Sequence, residues 1–130
     1  MDSRNITLQI RALVDSVRED DERLSLLLGA FQNFLDKSAT RLGVSYDRAT
    51  LNKKIKKYIK KKKRKAGKKG TNVDQSALKE VLSRVRLLTF TIENPSTDLN
   101  EIVYLFGFSM GLLNRIMRKL HIKYQLPSIF

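Results

Sequence analysis

The chain has no cysteine, one histidine (His121), two prolines and no apolar run long enough to span a membrane. The lack of cysteine excludes a disulfide frame and any thiolate metal site. With no second histidine, no G-x-S-x-G motif and no phosphate-cradling glycine loop, no catalytic constellation can be assembled. His121 stands at a helix end, where such a residue satisfies a carbonyl or meets the helix dipole. The acids at 19–22 read as a solvent-facing cluster, because they lack the interleaved glycine of a calcium loop. No catalytic residue, metal or cofactor is therefore expected, and the protein is not expected to be an enzyme. The first residues, MDSRNITLQI, do not follow a basic region with an apolar run, so they do not read as a signal peptide. An intracellular site is expected: nucleoid or cytoplasm in a prokaryote, the nucleus in a eukaryote or for a virus.

What the chain does have is positive charge, placed unevenly. Lys and Arg number 26 against 13 Asp and Glu, a net charge of +13 over 130 residues. Residues 1–36 carry four basic and seven acidic side chains, residues 37–70 carry fifteen and one, and residues 71–130 carry seven and five. The central excess peaks in KKIKKYIKKKKRKAGKKG, residues 53–70. A basic block between nearly neutral flanks is the electrostatic footprint of a polyanion-binding surface. Lysine outnumbers arginine there, and lysine meets phosphate as a mobile point charge and does not read edges. The candidate phosphate contacts are Lys53, Lys54, Lys56, Lys57, Lys60, Lys61, Lys62, Lys63, Arg64, Lys65, Lys68 and Lys69. The bland alternative is a solvated tail or a nuclear-import signal. Tyr46 and Tyr58 lie within the region and could stack on unpaired bases, although tyrosines so placed usually roof a core.

Apolar spacing is helical nearly throughout, which predicts an all-α fold, a small bundle of five or six helices. Ile6, Ile10, Leu13, Val14 and Val17 line a first helix, and Leu24, Leu27, Leu28, Phe31, Phe34 and Leu35 a second. The same positions, read in alternating steps of four and three, form a heptad seam broken at Asp20. Two packed helices are favoured over one long coiled coil, with Asp20 or Asp21 capping the second. A short helix or turn ends at Gly43. Ser45 as N-cap and Asp47 in the first turn then start a third helix carrying Leu51, Ile55, Tyr58 and Ile59. That helix is expected to fray over 60–65 without a bound anion, because adjacent cations repel there. Residues 66–72 read as a flexible basic linker between an N-terminal part, 1–65, and a C-terminal part, 73–130. Ala77, Leu78, Val81, Leu82, Val85 and Leu88 line a fourth helix, ended by Pro95. Asp98 and Glu101 offer a D-x-x-E capping box for a fifth, Gly107 ends that one, and Ser109 caps a sixth.

In DLNEIVYLFGFSMGLLNRIMRKLHI, residues 98–122, Leu99, Ile102, Val103 and Phe106 suit the inner face of a first helix. Gly107 suits the turn, Phe108 the plug behind it, and Leu113 with Ile116 the returning plugs. The segment resembles the helix-turn-helix of AraC-type and other homeodomain-like regulators, and it is a C-terminal hairpin on that reading. Val103 stands where such motifs usually have alanine, and His121 where glycine is common. The resemblance implies that Ser109, Met110, Gly111, Asn114, Arg115 and Arg118 face the major groove, of which Ser109, Asn114, Arg115 and Arg118 suit contacts to nucleic acid. Plain packing of two helices is the competing reading. Residues 34–59 echo the theme with Ala39, Leu42, Gly43 and Val44, and their tail is similar to the ending of Fis-type DNA-binding domains. That likeness implies contacts from Tyr46, Arg48, Asn52, Lys53 and Lys56.

The expected function is nucleic-acid binding, DNA ahead of RNA, by a regulator or architectural protein. The lysine helix would give non-specific phosphate affinity and residues 98–122 a modest selectivity. Residues 1–36, acidic and with an apolar seam, are expected to join copies into a homo-oligomer. The alternative is a viral or structural assembly protein, nucleocapsid- or matrix-like, that binds RNA, DNA or an anionic membrane without reading sequence.

Overall fold

The computed structural model describes residues 3–17, 22–65, 75–124 and 126. Five helices account for nearly all of them, and no strand occurs among the described residues: α1 Ser3–Ser16, α2 Glu22–Leu42, α3 Arg48–Lys65, α4 Gln75–Glu93 and α5 Leu99–Lys119. The fold is all-α, a small helical bundle.

Two helices, not one, carry the N-terminal apolar seam. Ile10 and Val14 of α1 and Leu24, Leu27, Leu28, Phe31, Phe34 and Leu35 of α2 all lie in one core. The seam is thus packed inside a single chain, while Leu8 and Leu26 remain exposed. The predicted cap at Asp20 or Asp21 lies outside the described residues. The same core draws on Leu51 and Ile55 of α3, Val81, Val85, Leu88 and Ile92 of α4, and most of the inner face of α5. The parts before and after the 66–72 linker therefore share one interior, while the linker itself lies outside the described residues.

Side-chain pairs give the helix directions. Thr7 meets Tyr104 and Asp15 meets Arg115, so α1 and α5 run the same way. Lys37, late in α2, meets Glu93 at the end of α4. The connection between α4 and α5 is short because Asn94 precedes Pro95 and is barred from continuing the helix. The Asn94 side chain accepts from Ser96 N, and Thr97 Oγ1 donates to Thr91 O, which closes the turn. Asp98 then caps α5, its side chain accepting from Asn100 N at 2.9 Å.

The largest departure from the sequence reading is here. α5 is one unbroken helix across Gly107, so the helix-turn-helix hairpin predicted for residues 98–122 is absent, and Ser109 starts no sixth helix. The reason is the phase of the apolar stripe. Ile102, Leu105, Phe106, Ser109, Met110, Leu112, Leu113, Ile116 and Met117 are buried in one continuous helical register on both sides of the glycine. A glycine inside a helix costs about 1 kcal/mol. Each large apolar side chain kept buried contributes about 1.5–3 kcal/mol, so continuity of the stripe wins.

The left-handed turns lie elsewhere. Gly43, at φ 66°, ends α2: Gly43 N donates to Thr40 O and Val44 N to Ala39 O, the Schellman pattern, with Val44 and Ala39 both on the core. α5 ends in the same pattern at His121, φ 60°, with His121 N donating to Arg118 O and Ile122 N to Met117 O. No separate short helix precedes Gly43, because α2 itself reaches Leu42.

The two glycines should respond oppositely to alanine. A Cβ at either meets no atom within 4 Å, so only backbone conformation decides. Gly107→Ala is expected to raise stability by about 0.5–1 kcal/mol. Gly43→Ala is expected to lower it by about 1–2 kcal/mol, the cost of a left-handed L-residue. Urea unfolding of the two variants checks this; a destabilising Gly107→Ala would restore the hairpin.

Candidate nucleic-acid interface

α3 begins where the chain turns off α2. Asp47, not Ser45, caps it: Asp47 Oδ1 accepts from Thr50 N at 3.1 Å and Oδ2 from Thr50 Oγ1 at 2.6 Å. These two bonds, the side-chain one foremost, lower the carboxyl's pKa below its ordinary value. Near the end of α2, Asp36 accepts from Tyr46 OH and pairs with Arg48 Nε at 3.2 Å. Burial raises the Asp36 pKa, and the Arg48 charge opposes that rise. Arg48 also sits over the Tyr46 ring, 5.4 Å from its centroid. Gln32 Nε2 donates to Asn52 Oδ1, a second polar link from α2 to α3. Acid, phenol and guanidinium thus fix the angle at which α3 leaves the bundle.

Only one face of α3 meets the core. Leu51 and Ile55 are buried and Tyr58 packs beside them. Lys53, Lys54, Lys56, Lys57, Lys60 and Lys61 are all exposed. At 100° per residue these six occupy roughly 160° of the helix circumference, centred opposite Leu51 and Ile55. Among the described residues none of the six forms an ion pair. The backbone of α3 is helical to Lys65, through the stretch 60–65 expected to fray without a bound anion. Lysine is a good helix former, and cations near a helix C-terminus interact favourably with the dipole. The side chains of residues 62–65, and Lys68 and Lys69 altogether, lie outside what the structure describes.

The residues proposed to read bases from α5 are occupied otherwise. Ser109 is fully buried and its hydroxyl donates to Phe106 O. Asn114 grips the backbone of Leu126, accepting from its N at 2.9 Å and donating to its O at 3.5 Å. Arg115 Nη1 reaches both carboxylate oxygens of Asp15, at 2.7 and 2.8 Å. Met110 is buried, and Gly111 is exposed. Arg118 alone of the four is exposed. It lines a polar hollow of about 230 Å³ with Asn114, Ile122 and Tyr124. Since α5 never turns at Gly107, these side chains belong to the inner and flanking faces of a core helix. Tyr46, Arg48 and Asn52, the further contacts implied by the Fis-like tail, are likewise engaged within the protein.

Two structural roles had no obvious sign in the sequence. Lys119 Nζ donates to Val14 O, Asp15 O and Val17 O at 2.8–2.9 Å, so one ammonium satisfies three carbonyls at the C-terminal end of α1. Tyr124 OH reaches Asp47 O at 3.4 Å, tying the segment after α5 to the start of α3. The spacing Asp47-x-x-Thr50 was a readable sign of the true cap; the partners of Lys119 and Arg115 are about a hundred residues away and carried none.

A second hollow, about 380 Å³, lies between α2 and α4 and is lined by Asp36, Lys37, Thr40, Arg41, Ile92 and Glu93. Lys37 and Glu93 pair across it at 2.5 Å. Among the described residues no group of three potential metal ligands occurs, and no helix is long and apolar enough to cross a membrane. The chain matches no known family model, no curated protein and no solved structure. Function therefore rests on the chemistry of the site itself.

Two outcomes follow from these assignments. Arg115→Ala should lower stability by no more than about 1 kcal/mol, since the pair is half-exposed, and should leave affinity for nucleic acid unchanged; binding isotherms beside urea curves check it. For the cap, a folded pKa below the unfolded value means that the Asp47 contribution is complete above the unfolded pKa and lost as pH falls through the folded one. The amide of Thr50 should therefore lose exchange protection in that acidic window, and Asp47→Asn should shift or abolish the loss.

Proposed function

We propose that the protein binds nucleic acid, DNA ahead of RNA, through the phosphate backbone, with the lysine face of α3 as its contact surface. The observation that carries this reading is the set of six exposed lysines on one side of one helix, none in an ion pair among the described residues. Cations that stabilise a fold are placed beside carboxylates or helix carbonyls, as Arg115 and Lys119 are. Among the described residues these six have no such partner. Aligned ammonium groups left to solvent repel one another, and a phosphate chain relieves that repulsion while releasing its condensed counterions.

The binding is non-specific in kind. Lysine meets phosphate without reading base edges, and Ser109, Asn114 and Arg115 are engaged with partners of the fold. An architectural role fits this better than a sequence-reading regulator. Insertion into an anionic membrane is disfavoured because Leu51 and Ile55 are turned into the protein core, which leaves Ile59 as the exposed large apolar side chain of α3 among the described residues.

Salt dependence is the test. With all six lysines on phosphates, log K for a random-sequence duplex should fall against log salt with a slope of about −5. Lys57→Glu/Lys60→Glu replaces two exposed side chains, should leave the circular-dichroism spectrum unchanged and should reduce the slope by about 2. The loss should be the same on every sequence. Affinity indifferent to both salt and charge reversal would end this reading.

A further inference from the structure

Resting on that phosphate-binding reading, we infer that the ligand is B-form duplex DNA, with α3 laid into the major groove by its lysine face and no base read. Three observations carry the choice of ligand form.

The first is the occupation of the tyrosines. Single-stranded nucleic acid is held by aromatic rings on which bases stack, together with a charged groove. Both tyrosines of the basic region are withdrawn from that use. Tyr46 packs on the core, its hydroxyl donates to Asp36 and the Arg48 guanidinium lies over its ring. Tyr58 is half-buried against the same core. Among the described residues the well-exposed aromatic side chain, Phe90, belongs to α4 and not to the lysine face. The surface offers charge without a stacking platform.

The second is shape. The lysines are on the convex side of a helix, not in a groove that could enclose a flexible strand. Ile59, Lys60 and Lys61, the described side chains of α3 beyond Tyr58, are all exposed, so the helix leaves the core there. A major groove of B-DNA, about 12 Å wide, admits an α-helix. The deep, narrow major groove of A-form RNA does not. Lys56 and Lys60 lie toward one edge of the arc and Lys54 and Lys61 toward the other, so the two edges can reach the phosphates of the two strands that wall the groove.

The third is the state of the side chains that could read bases there. Arg48 is paired with Asp36, and Asn52 accepts from Gln32. Six of the nine exposed described residues of α3 are lysine, the others being Arg48, Ala49 and Ile59. A helix so equipped enters the groove for its phosphates alone.

The experiment compares the full chain on four probes at one low salt concentration: a random 24-base-pair DNA duplex, the single strand of the same length, the corresponding RNA duplex, and vesicles containing anionic lipid. Fluorescence anisotropy reads the first three and co-sedimentation the last. The DNA duplex is expected to bind at least about tenfold tighter than the single strand or the RNA duplex. Duplexes of unrelated sequence should agree within about threefold. Methyl green, a major-groove ligand, should displace the protein, and netropsin, a minor-groove ligand, should not. Equal binding of the three nucleic acids, or displacement by netropsin alone, overturns the inference and leaves phosphate binding intact. Preference for vesicles overturns it in favour of a lipid surface. Binding to none of the four overturns the phosphate reading as well. Lys54→Glu/Lys61→Glu, with both side chains exposed, should cost affinity for the DNA duplex while leaving the melting transition in place; unchanged affinity counts against groove entry.

Discussion

The stripe of apolar side chains along α5 is the constraint on which the other helices depend. It runs from Ile102 to Met117 without a break in phase, and α1, α2 and α4 are arranged around it. Because it is continuous, the glycine at 107 is absorbed as an exposed position of a helix. Because the helix is continuous, its last turn arrives where α1 ends, and Lys119 and Arg115 can close that end. Polar contacts at both termini of α5 then follow from packing: Asp98 at the start, Asn114 and His121 at the finish.

α3 stands outside this arrangement and has a different physical logic. It contributes two buried side chains to the core, and its direction is set by polar contacts at its first turn. Asp36, Tyr46 and Arg48 occupy the corner between α2 and α3, and the left-handed Gly43 makes the corner possible. A helix held mainly at one end can carry a charge density that would disrupt a bundle helix packed on several sides. The division of labour is visible in the two classes of cation. Arg115 and Lys119 of α5 meet a carboxylate and carbonyls of the fold, and the six described lysines of α3 face solvent.

Much of this architecture could be read from local spacing. The helical class, the split of the N-terminal seam into two helices, the stop at Pro95, the cap at Asp98 and the glycine turn at 43 are all decided within a few residues. Gly107 was misread because glycine at a helix end and glycine on an exposed helix face look alike locally. Only the burial of residues on both sides of it separates them. The same limit applied to Ser109, Asn114 and Arg115. Their residue types suit base edges, but their partners, Phe106 O, the Leu126 backbone and Asp15, are fixed by tertiary packing. The lysine block was legible as charge, and its segregation to one face followed from helical periodicity once α3 was known to begin at Arg48.

The crowding of ammonium groups along α3 has a thermodynamic corollary. Each charge raises the free energy of its neighbours, so the folded helix carries an internal electrostatic load that counterions offset only in part. A bound polyanion removes that load. On the proposed reading, binding and the stability of α3 are therefore linked, and the protein without its polyanion is the less stable of the two forms.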